Sequence, residues 1–591
     1  MSSTQRKNHT AEPSQALKKA KNGLIAAAIL SAIINILMLG GPIYMMLIYD
    51  SVLASRSIPT LVGLLFIIAI VYLFHGAFDI LRARLMGHIA VHLDSALSDR
   101  LHSVMRQQKL KSGHLPGDGL TPLRDLDQIK GFLNSPGPGA FMDLPWVFFF
   151  IGILSLLHIW LGVTALAGAV ILIGLTIINH TTNKAASETL TELRGQLMGN
   201  AQDQRTNAEV VQALGMGERL RARWQALNQE YLNQSTKLTR RSALFGSISK
   251  IFRMFLQSVV LTVGALIYIH GEASAGIIFA ASILASKGLA PIDQSIASWK
   301  TFSAARAGWR RLTVLLDLYP KADAPKVALP APKNTLKVEK LAAAPPGQTK
   351  PTLRNVEFEA QAGDAIAILG MSGAGKTTLA RLLIGAWQPV VGSIRLDGAT
   401  LDQWDADVLG QSIGYLSQRV SLMEGSVAEN ISRFEPNAPS ELIIAAAQAA
   451  GVHAMIVDLP NGYDTQVGHN GSQLSAGQNQ RIGLARALYR DPFLIVLDEP
   501  NSNLDSEGEK ALGSAIGSIR SRDGVAILIA HRPSILGQVN KVMYLQNGAM
   551  EAFGPRDEVL SKILAKPAVQ KQTAAGAGGH LKSVPQKDLE Q

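Results

Sequence analysis

"AIAILGMSGAGKTTLARLLIGAW" (residues 365–387) decides the C-terminal half of this 591-residue chain. Ala365–Leu369 is a short apolar run of strand length, and Leu379–Trp387 reads as helix. Between them lies G-x-x-x-x-G-K-[ST], running from Gly370 to Thr377, with Thr378 next. This is the strand–loop–helix setting of a phosphate-binding loop. Gly370, Gly373 and Gly375, with Ser372 among them, let backbone N–H groups turn inward onto phosphate oxygens. Lys376 is placed to reach the terminal phosphates of a nucleotide, and the Thr377 hydroxyl to hold Mg²⁺. The helix N-terminus adds partial positive charge.

Three further apolar runs end in polar residues. "FLIVLDEP" (493–500) is apolar throughout, as a strand buried on both faces should be, and ends in two acids. Asp498 is placed to hold Mg²⁺ through water, and Glu499 to orient or deprotonate an attacking water. "SIGYLSQ" closes on Gln418, a further candidate for metal and water, and "VAILIAH" on His531. Ligands of open α/β sheets gather at the carboxyl ends of the strands, so these four ends are expected to meet at one nucleotide site.

The N-terminal half has a different character. Asn22–Tyr49, Ser57–Phe78 and Leu144–Asn183 carry no charge over 28, 22 and 40 residues; Met254–Gly271 and Ala273–Ser286 flank a single Glu272. A helix crosses the roughly 30 Å hydrocarbon layer with about 20 residues, and Leu144–Asn183 is long enough for two crossings, so six spans are expected. Lys and Arg collect before the first span, between the second and third, and between the fourth and fifth, which puts both termini in the cytoplasm. The net charge of +11 therefore follows membrane orientation and does not point to nucleic acid. With no cysteine, disulfides and thiolate chemistry are excluded.

"GFLNSPGPGAFMDLPW" (131–146) interrupts this pattern at the mouth of the third span. Pro136 and Pro138 lack an N–H and disfavour helix in the residue before each, so an arriving helix should stop or kink there. Lys287, about 14 residues into the sixth span, either snorkels to the cytosolic headgroups or faces a water-filled path. In domain terms, 1–22 is a cytoplasmic segment, 23–319 the six-span domain with long cytoplasmic helical extensions and 320–335 a Pro/Ala/Lys linker. Residues 336–564 form an α/β nucleotide-binding domain, and 565–591 is a tail with almost nothing to bury, expected to be disordered.

"LSAGQNQRIGLARAL" (474–488) resembles the signature motif of ATP-binding cassette (ABC) proteins, "SNLD" (502–505) their D-loop and His531 their switch histidine. The resemblance implies that Ser475, Gly477 and Gln478 bind ATP held by a partner subunit, with Asp505 in the D-loop. A chain with six spans and one such domain is then half a transporter, a homodimer of the type I ABC exporter fold. Ala476 replaces a usual glycine, His469 stands where many exporters have Glu, and no aromatic lies near Pro345–Pro346 to stack on adenine. Two cytoplasmic elements, around Gly113–Leu120 and Leu214–Leu220, are expected to dock on the ATPase.

The membrane half is similar to a narrower group. "PIYMMLIYDSVL" (42–53), the 131–146 stretch, "NAEVVQALGM" (207–216) and "ASILASKGLAPIDQ" (281–294) resemble the PrtD/HasD/AprD-type ATPases of type I protein secretion. That likeness implies an inner-membrane exporter of unfolded polypeptides bearing C-terminal signals. Its partners would be a periplasmic adaptor (membrane fusion protein) and a TolC-type outer-membrane channel, with lipid around the spans. A lipid or small-molecule exporter would share the fold and the ATP chemistry and stays open as the alternative.

Overall fold

The structure, a computed structural model, describes residues 12–112, 119–320, 329–468, 471–502, 504–530 and 533–565. It divides into two compact units, Met1–Ala322 and Asp323–Gln591. The expectations for His531, His469, most of Gly113–Leu120 and the tail beyond Ala565 lie outside the described residues.

All regular structure described in the first unit is helical: α1 (Glu12–Leu37), α2 (Gly40–Leu47), a π-helical turn (Ile48–Val52), α3 (Leu53–Ser55), α4 (Ile58–Ser112), α5 (Thr121–Leu133), α6 (Gly137–Asp143), α7 (Trp146–Leu157), α8 (Ile159–Thr206), α9 (Ala208–Ala213), α10 (Gly217–Ile269), α11 (Ala275–Gly288) and α12 (Ala290–Leu318). Among the described residues, five stretches are long and apolar enough to cross a membrane, and the bent pair α6–α7, taken as one span, makes six. At 1.5 Å per residue α4, α8 and α10 run roughly 70–80 Å, more than twice the hydrocarbon layer, so each continues well beyond it. Phe66 and Leu73 of α4 are 67% and 72% exposed, an apolar surface suited to lipid rather than water.

The third span is broken twice. Helix α5 stops at Leu133, where the Pro136 stretch takes over; the Ser135 hydroxyl accepts from the Gly137 N–H at 3.1 Å, replacing a lost helical bond. A second break, at Leu144–Pro145, bends α6 from α7 by 42°. Polar side chains fix this broken segment among its neighbours. Arg82 of α4 reaches the Asp143 carboxylate at 2.9 and 3.1 Å, while its guanidinium also donates to Ser31 of α1 at 2.8 Å. Asn35 of α1 donates to Asp143 at 2.7 Å, and Asp79 takes the far side of Arg82 at 2.8 Å. Below the break, Arg311 of α12 grips the buried Asp125 of α5 through two parallel bonds of 2.8 and 2.5 Å. Apolar packing supplies the rest: Phe150, Leu154, Leu161 and Leu284 tie α7, α8 and α11 together, and Leu97, Leu126 and Leu312 tie α4, α5 and α12.

Lys287 sits in the last turn of α11 with its side chain exposed. The cavity described below is lined instead by Arg253 and Asp293, an ion pair of 2.7 Å. Lys287 does not line that cavity, and its exposure is compatible with both readings.

In the second unit, an antiparallel sheet has the order β2 (Leu353–Gln361), β1 (Thr335–Ala343), β4 (Val391–Leu396), β5 (Ala399–Thr400). A larger sheet runs β10 (Ala549–Pro555), β9 (Lys541–Gln546), β3 (Ala365–Gly370), β8 (Val525–Ile529), β7 (Leu494–Asp498), β6 (Ile413–Leu416). Strands β9, β3, β8, β7 and β6 pair in parallel, so their carboxyl ends share one edge. Both faces are covered: Ile366, Leu494, Val496 and Ile527 point into one core, and Ala367, Ile495, Leu497 and Leu528 into another. That period-2 division of apolar residues is why each strand reads as a continuous apolar run.

Replacing Asp143 by Leu strands the half-buried charge of Arg82. Thermal unfolding in detergent should register a loss of about 3 kcal/mol, the low end for a broken buried pair because Asp79 remains. Glu218→Ala, which breaks an exposed pair with Arg221, should leave the midpoint unchanged.

Candidate ATP site

The loop after β3 is shaped by backbone that a side chain would spoil. Gly375 has φ +96°, and a Cβ there would sit 2.6 Å from Leu353 Cδ2; at Gly370 it would sit 2.3 Å from the Leu545 carbonyl oxygen. Ser372 and Gly373 form the exposed turn of the loop, and Lys376 opens the helix Lys376–Leu383. Only 7% exposed, Lys376 donates through Nζ to the Gly370 and Met371 carbonyls at 2.7 and 3.0 Å. Burial lowers its pKa, against the opposing pull of Glu499 and Asp498. Thr378 accepts a 3.4 Å bond from Thr352, the residue before β2.

Two strands away, β7 ends in Asp498, 1% exposed. Burial raises its pKa and the nearby Glu499 raises it further, while Thr377, Arg381 and Lys376 oppose the shift. Thr377 thus lies beside Asp498, yet neither carboxylate oxygen completes a hydrogen bond with a described residue. Glu499 follows with φ +53°, a left-handed conformation uncommon for a side-chain-bearing residue, and its N–H bonds Ile529 of β8 at 3.1 Å. This turn delivers its carboxylate to Gln418, whose Nε2 donates at 2.9 Å. Lys376, Thr377, Asp498, Glu499 and Gln418 are therefore brought together at one sheet edge.

A second group lies apart. Ser475 caps the helix Ala476–Leu488 and forms a reciprocal box with Gln478: Ser475 Oγ accepts from the Gln478 N–H at 3.2 Å, and Gln478 Oε1 from the Ser475 N–H at 2.8 Å. Ser475, Gly477, Gln478 and Asp505 share a pocket of about 220 Å³ with Met455 and Arg481, and none of the phosphate-loop residues lines it. Arg481 donates to both Asp505 oxygens at 2.7 Å. The Gly508 N–H, then Arg481, hold the Asp505 carboxyl below its ordinary range. One chain thus carries two separate groups of candidate site residues.

Arg481 and Gln480 were not singled out in the sequence. Gln480, 3% exposed, donates to the Pro500 carbonyl and, at 3.4 Å, to that of Glu499. It ties the second group's helix to the backbone that aims Glu499. Both residues lie within three positions after the signature pentad, the one signal that could have exposed them.

A helical membrane unit joined to a phosphate-loop domain has the make-up of an ABC transporter, and the comparisons agree. Residues 24–288 match the ABC transporter transmembrane region and 353–502 the ABC transporter domain. A bacterial Atm1-family ABC exporter with ATP bound superposes with a TM-score of 0.79 at 22% identity, covering 92% of this chain and 96% of that one, which shows the fold. The type I secretion system ATP-binding protein PrsD of Rhizobium meliloti is 46% identical over 96% of this chain and 97% of its own. The toxin RTX-I translocation ATP-binding protein of Actinobacillus pleuropneumoniae is 26% identical over 92% of this chain and 77% of its own. The chain belongs to the type I secretion ATP-binding proteins of the ABC transporter family. It is a multi-pass membrane ATPase.

Replacing Gln480 by Leu leaves the Pro500 and Glu499 carbonyls without this donor. A fall in kcat of about tenfold, with the KM for ATP nearly unchanged, is expected in a steady-state ATPase assay. Full kcat in the folded variant would show that Gln480 does not position Glu499.

Proposed function

We propose that the chain is the inner-membrane ATPase and permease of a type I secretion system, moving unfolded polypeptides with C-terminal signals out of a bacterial cytoplasm. The observation that carries this reading is a cavity of roughly 1500 Å³ in the membrane unit, framed by α5, α8, α10 and α12 and lined by polar residues such as Asn179, Asn183, Thr191 and Ser303. An unfolded chain brings its backbone N–H and C=O groups with it, and such walls can hydrogen-bond them. The walls also carry much apolar surface, and the volume exceeds the about 300–1,000 Å³ typical of a small-molecule pocket.

The ATP chemistry then follows from the two half-sites. The phosphate loop and Lys376 bind the β- and γ-phosphates. The orphaned, buried Asp498 oxygens beside Thr377, with Gln418 near, suit Mg²⁺, which prefers water and a few hard ligands to an all-protein cage. When bound, that ion neutralises charge on the phosphate oxygens. Glu499 accepts the proton of a water attacking the γ-phosphorus as the bond to the β–γ bridging oxygen breaks, and His531 steadies the γ-phosphate. Ser475, Gly477 and Gln478 of one copy close over ATP on the other, with Asp505 beside them, so the working form is a two-fold homodimer. Both termini are cytoplasmic by the Lys/Arg rule. A periplasmic adaptor and a TolC-type outer-membrane channel complete the route, and no nucleic acid takes part.

Glu499→Gln should cut turnover about 10²-fold or more while retaining ATP and locking the dimer closed. Near wild-type hydrolysis by the purified variant would remove Glu499 from the role. Composite sites predict complementation: mixed dimers of Lys376→Ala with Ser475→Arg hold one intact site, so ATPase activity should rise above that of either pure variant. No rise in verified mixed dimers would contradict site sharing.

A further inference from the structure

Charge in this cavity is lopsided. Eight cations line it against three acids. Two of the cations are matched within the fold, Arg253 by Asp293 at 2.7 Å and Arg311 by Asp125 at 2.5 Å. The other six, Lys184, Arg194, Lys250, Lys300, Arg306 and Arg310, have no ion-pair partner among the described residues. Glu188 and Glu192 are the lining acids that remain. The cations come from three helices: Lys184 and Arg194 on α8, Lys250 on α10, and the rest on α12.

Membrane orientation accounts for cations on the cytosolic flank, but not for their gathering on the walls of one concavity, where like charges repel. Clefts lined by one sign of charge focus the field and concentrate ligands of the opposite sign. Three of the six are arginines, whose planar forks bind carboxylates bidentately and stay charged at any working pH. On the same wall, Trp299 and Phe302 pack at 5.4 Å, and Phe302 packs on Phe141 at 4.6 Å and on Phe132 at 5.5 Å. Those rings join the cavity to the ends of α5 and α6 on either side of the Pro136 break, giving apolar side chains a landing beside the cations.

We propose that the cavity selects its polypeptide by negative charge, taking acidic unstructured segments in preference to neutral or basic ones. This rests on the polypeptide-export reading and adds a substrate class to it. The carboxylates of Asp- and Glu-rich segments replace the missing countercharges of the six cations, and a Lys-rich segment meets repulsion from the same groups.

The test uses the full chain in lipid nanodiscs and three labelled, unstructured peptides of equal length, rich in Asp, uncharged and rich in Lys. Fluorescence anisotropy at low salt should show the acidic peptide bound about tenfold more tightly than the uncharged one, with the Lys-rich peptide weakest. Raising the salt should erase most of that difference. Arg306→Gln/Arg310→Gln should also erase it, and Lys184→Gln/Lys250→Gln provides a second variant on other helices should the first fail to fold. Equal affinity for acidic and uncharged peptides would overturn charge selection and leave export standing. Binding of no peptide, with a short-chain anionic phospholipid bound instead, would overturn the export reading itself.

Discussion

Hydrogen bonding among β3, β8, β7 and β6 is the constraint on which the ATP site depends. These strands pair in parallel and in register, so the phosphate loop, Asp498–Glu499 and Gln418 emerge at one edge although more than a hundred residues separate the first from Glu499. Because both faces of the sheet are packed, that edge is held rigidly. The same burial creates the site's electrostatics: it pushes the Lys376 pKa down and that of Asp498 up. Each group is therefore poised for an opposite charge, Lys376 for phosphate and Asp498 for a cation.

Inside the membrane unit the governing constraint is satisfaction of polar groups where water is scarce. An unbroken helix meets it alone. The third span does not, and its two breaks are held by side chains: Ser135 caps one, and Arg82, Asp143, Ser31 and Asn35 fasten the segment between them to α1 and α4. Such a network is costly to leave half-made, so the break is a specified shape rather than slack chain. The aromatic cluster of Phe132, Phe141, Trp299 and Phe302 continues it to the cavity wall. The proposed polypeptide path would therefore run beside a break of fixed shape.

What the sequence disclosed was local. The phosphate loop, the apolar strands and the long uncharged helices are each written in consecutive residues, and so is the stop before Pro136. The strand order was not legible, because nothing in "VAILIAH" says that β8 lies between β3 and β7. Nor was the second bend at Leu144–Pro145, or the π-helical turn Ile48–Val52, where no residue announces the extra hydrogen-bond step. Depth along the helix likewise did not show that Lys287 is exposed and off the wall of this cavity. The cavity's six unmatched cations lie on three helices spread over more than a hundred residues and become one surface only when those helices pack. Gln480 was missed because its value lies in two carbonyls about twenty residues away.

The central claim, that this ATPase passes polypeptide through that cavity, is tested most directly by photo-crosslinking in living cells. A photo-reactive residue at Ser303, on the cavity wall, is compared with one at Lys287, which is exposed and does not line it. With hydrolysis blocked by Glu499→Gln, polypeptide adducts at Ser303 should differ in amount from those of the active enzyme, and Lys287 should give few in either background. Adducts at Ser303 consisting of lipid alone, with and without hydrolysis, would contradict the account.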